Sequence, residues 1–289
     1  MDFNSTVLVT GGSGFIGSHL VCSLLDYCCS PRSLESVEDR ANYTFIRGDV
    51  CNSQLRRHSK PRLVSSAPHQ SQRFVYVSTD EVYGEGLDQV FDESSPVRPS
   101  NPYSTTKAAA EYLVRSYWDK YKFPIIITRS NNIYGPRQYT EKVIPKFLTL
   151  LQMNKKCTIQ GTRQSRHFLF VDDAINALRL VLEKGIVGEI YNVGTSCEIL
   201  IMQLAKELVK MVKNVPDSEV NDWLEFVPDR PCVDLRYPIS CEKLQQLGWR
   251  EDVSWTEGIR QTVKWYQDNA DFWSDQEPIR SKLEKVTNK

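Results

Sequence analysis

The stretch TVLVTGGSGFIG, residues 6–17, decides the fold of this chain. A short β-rich run leads straight into three glycines, Gly11, Gly14 and Gly17, and an amphipathic stretch follows without a break. Glycines at this spacing allow a tight turn and let backbone N–H groups approach a pyrophosphate, to which the N-terminus of the following helix adds partial positive charge. The stretch therefore predicts a strand over 6–10, a turn, and a helix that together bind a dinucleotide.

Outward from this motif, strand-like and helix-like segments alternate along the chain. Strands are predicted at 43–47, 74–78, 124–129, 157–160, 189–193 and 224–227, and helices at 104–121, 145–152, 172–184, 201–213 and 255–268. The run 74–78 is apolar enough to be buried on both faces of a sheet. This alternation predicts an α/β fold built on a doubly wound parallel sheet with helices on both faces.

Two segments interrupt the alternation. Residues 51–73 show almost no apolar periodicity and form too long a connection for a compact domain. Between Gly17 and Tyr43 no second strand follows the first helix, although the acid that holds the cofactor ribose usually ends such a strand about 20 residues after the glycines. The acids of this region that lack a strand before them are Asp26, Glu35, Glu38 and Asp39. The ribose ligand is therefore unassigned, and these residues leave NAD and NADP both open.

Composition narrows the class of protein. The 289 residues carry 36 basic and 36 acidic side chains, so no overall charge favours nucleic acid or an anionic membrane. No apolar run approaches a membrane span, and the first ten residues lack the features of a secretion signal. The 8 cysteines are scattered without a C-x-x-C pair, which favours free thiols in a reducing compartment over a metal site. We expect a cytoplasmic protein with no membrane or nucleic-acid partner and no bound metal.

The strand predicted at 74–78 ends in Thr79, Asp80 and Glu81, within FVYVSTDEVYG. A solvated turn is one explanation, because acids are common in turns. The other is an acid and a base placed side by side for chemistry, which requires environments that push the two carboxyl pKa values apart. Since neighbouring strand residues face opposite ways, both acids reach one substrate only if the strand end bends.

Tyr103 and Lys107 form a Y-x-x-x-K pair on the predicted helix 104–121 and its N-terminal flank. The i,i+4 spacing puts both side chains on one helix face. A phenol is a poor base at neutral pH, but a nearby ammonium favours the phenolate and lowers its pKa. A Tyr–Lys pair at this spacing is often an ordinary pair of surface side chains. In a chain that also has a dinucleotide-binding turn, it indicates a base that takes a proton from a hydroxyl while a hydride leaves to the cofactor.

Five motifs together carry a resemblance to a known family. They are TGGSGFIG, YVSTDEVYG, YSTTK, RSNNIYGPRQYTEKVIP and DRPCVDLRY. Over 7–266 the chain resembles the extended short-chain dehydrogenase/reductase family, and within it the nucleotide-sugar 4,6-dehydratases, because its epimerases generally lack the adjacent Asp-Glu pair. The resemblance implies a Rossmann NAD-binding domain over 1–135, to which 167–193 returns, a smaller α/β nucleotide-sugar-binding region over 136–289, and a homodimer formed through the Tyr103 helix.

The resemblance also implies a reaction, the NAD-dependent dehydration of dTDP-glucose to dTDP-4-keto-6-deoxyglucose. Tyr103 would take the proton of the C4 hydroxyl, with Lys107 tuning its pKa, while hydride leaves to NAD. Glu81 would remove the C5 proton and Asp80 would protonate the departing C6 hydroxyl. Thr79 would hydrogen-bond the C4 oxygen.

The ligand contacts that the resemblance implies fall into two sets. The cofactor set is Gly11, Gly14, Phe15, Ile16, Gly17, Asp49, Tyr103 and Lys107, and the substrate set is Asn132, Lys142, Arg166 and Arg230. Asp49 would lie on the adenine side, and an ordinary turn at a strand end explains it equally well. The arginines would grip the diphosphate, for which a guanidinium fork is suited.

Family members carry two further segments that this chain lacks, an acid-tipped strand after the first helix and a strand–helix unit before the strand at 74–78. Such a unit takes about 30 residues or more. We therefore expect a shortened sheet that is missing one or two strands, and turnover below that of complete members. Two alternatives stay open: a UDP-sugar epimerase or decarboxylase of the same family, and a catalytically silent variant.

Overall fold

A parallel three-stranded sheet with helices on both faces positions the chemistry-bearing side chains. The computed structural model describes residues 7–25, 43–44, 73–161, 163–228 and 234–273. Within them the helices are α1 (Phe15–Leu24), α2 (Pro102–Tyr121), α3 (Val143–Gln152), α4 (Val171–Lys184), α5 (Ile201–Lys213), α6 (Glu242–Gln246) and α7 (Trp255–Asp268). The strands are β1 (Phe74–Thr79), β2 (Ile125–Ser130), β3 (Asn132–Tyr134), β4 (Cys157–Gln160), β5 (Ser165–Phe170), β6 (Ile190–Val193), β7 (Glu198–Leu200) and β8 (Leu224–Val227). Short 3-10 helices cover Asp80–Tyr83 and Val220–Trp223.

The sheet order β1-β2-β6 is parallel throughout, and Thr79 of β1 is level with Ser130 of β2 and Val193 of β6. One face packs Ile125 and Ile127 against α2, and the opposite face packs against α4, on which α1 packs in turn. This two-sided cover confirms the predicted doubly wound α/β arrangement. Because carboxyl ends of parallel strands meet at one edge, the residues that follow these strands lie together.

The N-terminal strand prediction is wrong over the residues that the structure describes. Residues 7–9 form no strand, and Leu8 is 66% exposed. A strand needs a neighbour for its backbone N–H and C=O groups, and the described part of the chain places none beside this run. At the predicted strand 43–47, residues 43–44 are irregular, and the other three lie outside the described residues.

Burial of β1 also differs from the prediction. The strand is exposed at Phe74, half-buried over the next three residues, and buried only at Ser78 and Thr79. The three described strands place β1 at one edge of the sheet, with β2 on its other side. The prediction of burial on both faces therefore holds only where the strand reaches the site.

Most other predicted elements are confirmed to within two residues, while β3, β5, β7 and α6 were not predicted. β3 and β7 flank β5, in parallel and antiparallel order respectively, and β4 pairs with β8 in parallel. β6 pairs with β2 of the first sheet, and the domain bounds, with the return over 167–193, stay predictions. No described helix is both long and apolar enough to cross a membrane.

The helix α2 is fixed at its start and along its length. Asn101 caps it in a reciprocal capping box with Ser104, and Pro102 occupies the first turn, where a missing N–H costs nothing. Farther along, Glu111 forms a buried ion pair with Arg129 of β2, with 2.6 Å between Nη2 and Oε2. Together these contacts hold the helix that carries Tyr103 and Lys107 against the sheet.

Candidate active site

The end of β1 bends as the chemistry requires. Thr79 is the last extended residue, and its side-chain oxygen accepts a hydrogen bond from the backbone N–H of Glu81 at 3.3 Å. The chain then turns into the 3-10 helix Asp80–Tyr83, which ends at Gly84 with a φ of 83°. A side chain at Gly84 would lie 2.4 Å from the carbonyl oxygen of Arg98, so the turn depends on glycine. The predicted bend is confirmed.

Asp80 has the environment of an acid that keeps its proton. It is 2% exposed, and its Oδ2 accepts a hydrogen bond from Asn131 Nδ2 at 2.7 Å, while Thr79 Oγ1 donates to Oδ1 at 3.0 Å. Burial raises the pKa of Asp80 from 3.8 to about 7, the Asn131 hydrogen bond opposes this rise, and the charge of Glu81 adds to it. At neutral pH a large share of Asp80 is therefore protonated.

Glu81 is attached to the helix that carries Tyr103. Its Oε2 accepts a hydrogen bond from Asn101 Nδ2 at 3.0 Å, and it is half-buried. Since Asn101 is the cap of α2, this bond joins the strand end to the helix start. The neighbouring acids thus have different surroundings, Asp80 enclosed in the sheet and Glu81 facing the start of α2.

Tyr103 lies close to both acids, and the electrostatics differ from the expectation. Burial raises its pKa, the charges of Glu81 and then Asp80 raise it further, and a hydrogen bond with Thr79 lowers it. Lys107 donates instead to the carbonyl oxygen of Val77 at 3.0 Å, and burial lowers the pKa of its ammonium. The expected lowering of the Tyr103 pKa by Lys107 is wrong for this structure, because burial and then the charges of Glu81 and Asp80 raise that pKa, while Lys107 is bonded to Val77.

The glycine motif forms a turn that opens a helix, as predicted. The N–H of Gly14 donates to the carbonyl of Gly11 at 2.9 Å, and Gly11 has a φ of 66°. A side chain at Gly17 would lie 2.1 Å from Gly11 O, so only glycine allows this approach. Phe15 and Ile16 begin α1, which has no side-chain cap and no acid in its first turn. The start of α1 therefore fits an anion such as a pyrophosphate.

Of the predicted substrate residues, the structure brings Arg166 to the site. Its Nη1 donates to the carbonyl of Leu235 at 3.1 Å, its guanidinium lies 5.3 Å from the ring centre of Tyr237, and its charge lowers the pKa of Asp80. Asn132 is half-buried at the start of β3, and Lys142 is exposed just before α3. Two further predicted residues, Asp49 and Arg230, lie outside the described residues.

Two residues of this site were not predicted. Asn131 donates to Asp80 and to the carbonyl of Tyr237, the latter at 3.1 Å. Tyr237 is buried, its hydroxyl donates to Asp234 at 2.5 Å, and burial raises its pKa. The Asn-Asn doublet after β2 and the DLRY end of the last motif contain them, but sequence spacing alone does not show which member of each faces the acids.

Fold and site together define a class: a Rossmann-type protein with a dinucleotide turn, a Tyr–Lys helix and paired acids at a strand end. The family model described as GDP-mannose 4,6 dehydratase matches residues 62–262. The dTDP-D-glucose 4,6-dehydratase of Bos taurus is 45% identical over 96% of this chain and 92% of its own, and that of Homo sapiens is 45% identical over 95% and 93%. The chain belongs to the dTDP-D-glucose 4,6-dehydratase family of extended short-chain dehydrogenases/reductases.

Solved structures support the same assignment. A dTDP-glucose 4,6-dehydratase from Streptomyces venezuelae with NAD bound matches with a TM-score of 0.84 and 29% identity over 94% of this chain and 99% of its own. Its counterpart from Bacillus anthracis in complex with NAD matches with a TM-score of 0.80 and 29% identity over 92% and 97%. The α/β Rossmann-like fold is that of these dehydratases.

The comparison with the Bos taurus protein also supports an internal shortening. The match extends over 328 positions but uses 96% of the 289 residues here, or about 277, so about 50 positions of the match have no residue in this chain. That difference exceeds one strand–helix unit of about 30 residues. It agrees with the predicted loss of a strand and a strand–helix unit.

Proposed function

We propose that this chain catalyses the NAD-dependent dehydration of dTDP-glucose to dTDP-4-keto-6-deoxyglucose. The observation that carries the proposal is the bend after β1, which places Asp80, a buried acid whose pKa is raised to about 7, beside Glu81 and within the electrostatic reach of Tyr103. Adjacent carboxyl groups with different environments provide an acid and a base for one elimination. Membership of the dehydratase family supports the substrate.

The residues of the glycine turn fit the pyrophosphate of NAD. Gly11, Gly14, Phe15, Ile16 and Gly17 would hold it at the open start of α1. Tyr103 and Lys107 would lie at the nicotinamide end. Bound NAD supplies the hydride acceptor for C4 and, once reduced, the hydride donor for C6.

Side chains of this protein would carry out the proton transfers at C4, C5 and C6 of the sugar. Tyr103 would accept the proton of the C4 hydroxyl as C4 is oxidised, which requires that the positive charge of a bound nicotinamide lower the phenol pKa that burial and the carboxylates raise in this structure. Thr79 would hydrogen-bond the C4 oxygen. The C4 ketone acidifies C5, whose proton Glu81 removes. Asp80 gives its proton to the C6 hydroxyl, which leaves as water. Glu81 then returns its proton to C5, and the proton taken up by Tyr103 is restored to Asp80 through solvent, so both groups are reset and water is the net loss.

Arg166 is the side chain that we expect to hold the diphosphate of the substrate. Arg166, ordered by three backbone carbonyls, faces the ring of Tyr237 and would contact the diphosphate with its remaining guanidinium N–H groups. Asn132 and Lys142 would complete the nucleotide side. Arg230, like Arg166, would contact the diphosphate.

A UDP-sugar epimerase is the second candidate, and it needs no acid to expel a hydroxyl. The buried Asp80, whose pKa is raised to about 7, argues against it, because a proton donor at this position has no task in epimerisation. UDP-glucuronic acid 4-epimerase from Bacillus cereus, 24% identical with a TM-score of 0.78, shares the fold alone. The third candidate is a silent variant that binds NAD without turnover.

A product assay tests the proposal. Purified protein with added NAD is incubated separately with dTDP-glucose, UDP-glucose and UDP-glucuronate, and the molecular masses of the products are determined by mass spectrometry. Loss of one water from dTDP-glucose supports the proposal, and an isomer or a loss of carbon dioxide supports the second candidate. If NAD raises the melting temperature but no product forms with any substrate, the silent variant is established.

We also propose a homodimer, in a cytoplasmic setting, formed through α2. Its outer face carries large exposed apolar side chains, at Tyr112, Leu113, Tyr117 and Tyr121, each more than half exposed. Such a row is unusual on a monomer and typical of an interface. Light scattering that gives the mass of one chain at working concentration contradicts the dimer.

We further propose that 1–135 with 167–193 forms the NAD-binding unit and 136–289 the nucleotide-sugar-binding region. The pairing of β6 with β2 supports the return of the chain to the first unit.

A further inference from the structure

The side-chain amide of Asn131 has a single workable orientation. Its Oδ1 accepts the backbone N–H of Thr195 at 3.1 Å, and its Nδ2 donates to Tyr237 O at 3.1 Å and to Asp80 Oδ2 at 2.7 Å. An Asn amide has two N–H donors and one carbonyl acceptor, and these three contacts engage both donors and the acceptor. A flipped amide would turn its oxygen to two acceptor oxygens and its N–H groups to another N–H, and each contact would be lost.

The surrounding backbone fixes the position of this amide as well as its orientation. Asn131 is 3% exposed, and its own N–H donates to Val193 O at 3.0 Å, at the end of the neighbouring strand β6. A side chain at Gly194 would lie 2.3 Å from Asn131 Oδ1, so glycine leaves the room that the amide needs. The amide is therefore held by β6, the loop after it and the segment of Tyr237.

We propose that Asn131 is a positioning residue for the acid of the dehydration: it keeps Oδ2 of Asp80 as a hydrogen-bond acceptor and so assigns the proton to Oδ1, beside the Thr79 hydroxyl. A protonated carboxyl has one O–H donor, and the Asn131 N–H at Oδ2 cannot accept it. The Thr79 hydroxyl at Oδ1 can turn from donor to acceptor, so the proton occupies Oδ1. The proposal rests on the proposed function and adds which oxygen of the acid acts.

The proton balance of the step follows from this assignment. The O–H bond at Oδ1 breaks as the C6–O bond of the sugar breaks, the proton joins the leaving oxygen, and water departs. Asp80 is left as a carboxylate whose Oδ2 keeps the hydrogen bond from Asn131. Because this bond favours the charged form, it opposes the effect of burial and lets the acid release its proton.

Other charges that face Asp80 do not depend on Asn131. Glu81 raises the pKa of Asp80 and Arg166 lowers it, and the charge of Asp80 raises the pKa of Tyr103. Glu81 and Tyr103 lie on the 3-10 helix and on α2, apart from the segments that hold the amide, so a change at Asn131 leaves them in place. Arg166 is bonded to the carbonyls of Asp234 and Leu235, beside the Tyr237 carbonyl that Asn131 contacts, and neither of these two bonds involves Asn131.

Difference infrared spectroscopy tests the assignment without requiring turnover. The carboxyl band of Asp80 is identified in protein with isotope-labelled aspartate, by subtracting the spectrum of Asp80→Asn, and is followed from acid to alkaline pH. In Asn131→Leu, which keeps the shape but not the hydrogen bonds, the titration midpoint is expected to move upward by about 1 to 2 pH units. The C=O stretch of the protonated form is expected to move to higher frequency, since Oδ2 loses its donor.

Two further variants keep the test decisive. Asn131→Asp retains the acceptor for the Thr195 N–H but removes the N–H that donates to Asp80. The new carboxyl and Asp80 then form an interacting pair, and the pair is expected to lose its last proton at a higher pH than Asp80 does in the parent protein. Asn192→Leu is the matched control: Asn192 is equally buried and donates to Phe91 O and Ser240 O, but it does not touch Asp80. It is expected to lower stability and leave the Asp80 band unchanged.

An unchanged Asp80 midpoint and band in folded Asn131→Leu and Asn131→Asp overturns the proposal, and so does an equal shift in Asn192→Leu. These outcomes differ from failure of the proposed function, in which the parent protein shows the Asp80 titration but forms no product. Where product does form, the alkaline limb of the rate profile in Asn131→Leu is expected to move in the same direction as the infrared midpoint.

Discussion

At the scale of single residues, the burial of Asp80 links the proposed chemistry to stability. Its folded-state pKa, about 7, lies above the ordinary 3.8. A group whose pKa is raised by folding contributes stability that is complete below the unfolded value and is lost as pH rises through the folded value. Between pH 4 and pH 7 the free energy of unfolding is therefore expected to lose up to roughly 4 kcal/mol through this one group.

Asp80→Asn is expected to remove that slope, because an amide of the same shape does not ionise. Denaturant unfolding at a series of pH values measures it, with the exposed Asp88→Asn as the control that leaves the slope as it was. A slope in Asp80→Asn as steep as in the parent would mean that Asp80 is ionised in the folded protein over this whole range.

The sequence predicted Thr79, Asp80 and Glu81 as a unit, because their spacing at a strand end is visible in one dimension. It did not predict Asn131, which reaches Asp80 from 51 residues away, since that contact depends on how two strands align. It also predicted the wrong direction for the pKa of Tyr103. Burial, the largest cause of the rise, and the charges at the β1 end that add to it both depend on tertiary structure.

At the scale of elements, the ion pair between α2 and β2 determines where Tyr103 and Lys107 lie. Glu111 and Arg129 are 2% exposed each, and the guanidinium also lies 4.6 Å from the ring centre of Tyr83. Glu111→Gln leaves a buried guanidinium without its counter-charge and is expected to cost about 3 to 5 kcal/mol in free energy of unfolding. Chemical denaturation measures this cost.

The double variant Glu111→Leu with Arg129→Met gives the contrast, because it removes both charges and keeps apolar volume. It is expected to be closer to the parent in stability than Glu111→Gln is. The exposed pair Lys264–Asp268 is the surface control, and its loss is expected to cost under about 1 kcal/mol. If Glu111→Gln costs no more than this surface pair, the buried pair does not hold α2.

The glycine turn gives a second prediction at this scale. Gly17→Ala brings a methyl group to 2.1 Å from Gly11 O and is expected to displace α1 from the turn and to abolish stabilisation by NAD. Gly12→Ala is the matched control, since its methyl group would lie 3.4 Å from the nearest atom, an ordinary contact. Thermal melts with and without NAD measure both. Equal NAD-induced shifts in the two variants would show that the cofactor does not use this turn.

Elements with strong local signals were predictable, and the others were not. The capped helix at Pro102–Tyr121 and the apolar strand Ile125–Ser130 carry their own signals, and the structure has both. The run at 6–10 has equal β propensity, yet residues 7–9 form no strand. Strand formation needs a partner that propensity cannot supply.

At the scale of the whole molecule, the proposed acids and bases lie at the carboxyl edge of a parallel sheet, of which the described residues contribute three strands. The dehydratases of Bos taurus and Streptomyces venezuelae align along nearly all of it, and the match with the former passes over about 50 positions that this chain lacks. We expect turnover below that of complete members of the family, since positions that the Bos taurus protein has are absent from this chain.

Transfer of deuterium within dTDP-glucose tests the central claim most directly. Substrate labelled with deuterium at C4 is incubated with the protein and NAD, and the product is analysed by mass spectrometry and NMR. The account predicts a 4-keto-6-deoxy product that has lost water and carries the label at C6, because the hydride taken from C4 returns to C6 of the same sugar. Label that stays at C4 in an epimer, or the absence of any dehydrated product, contradicts it.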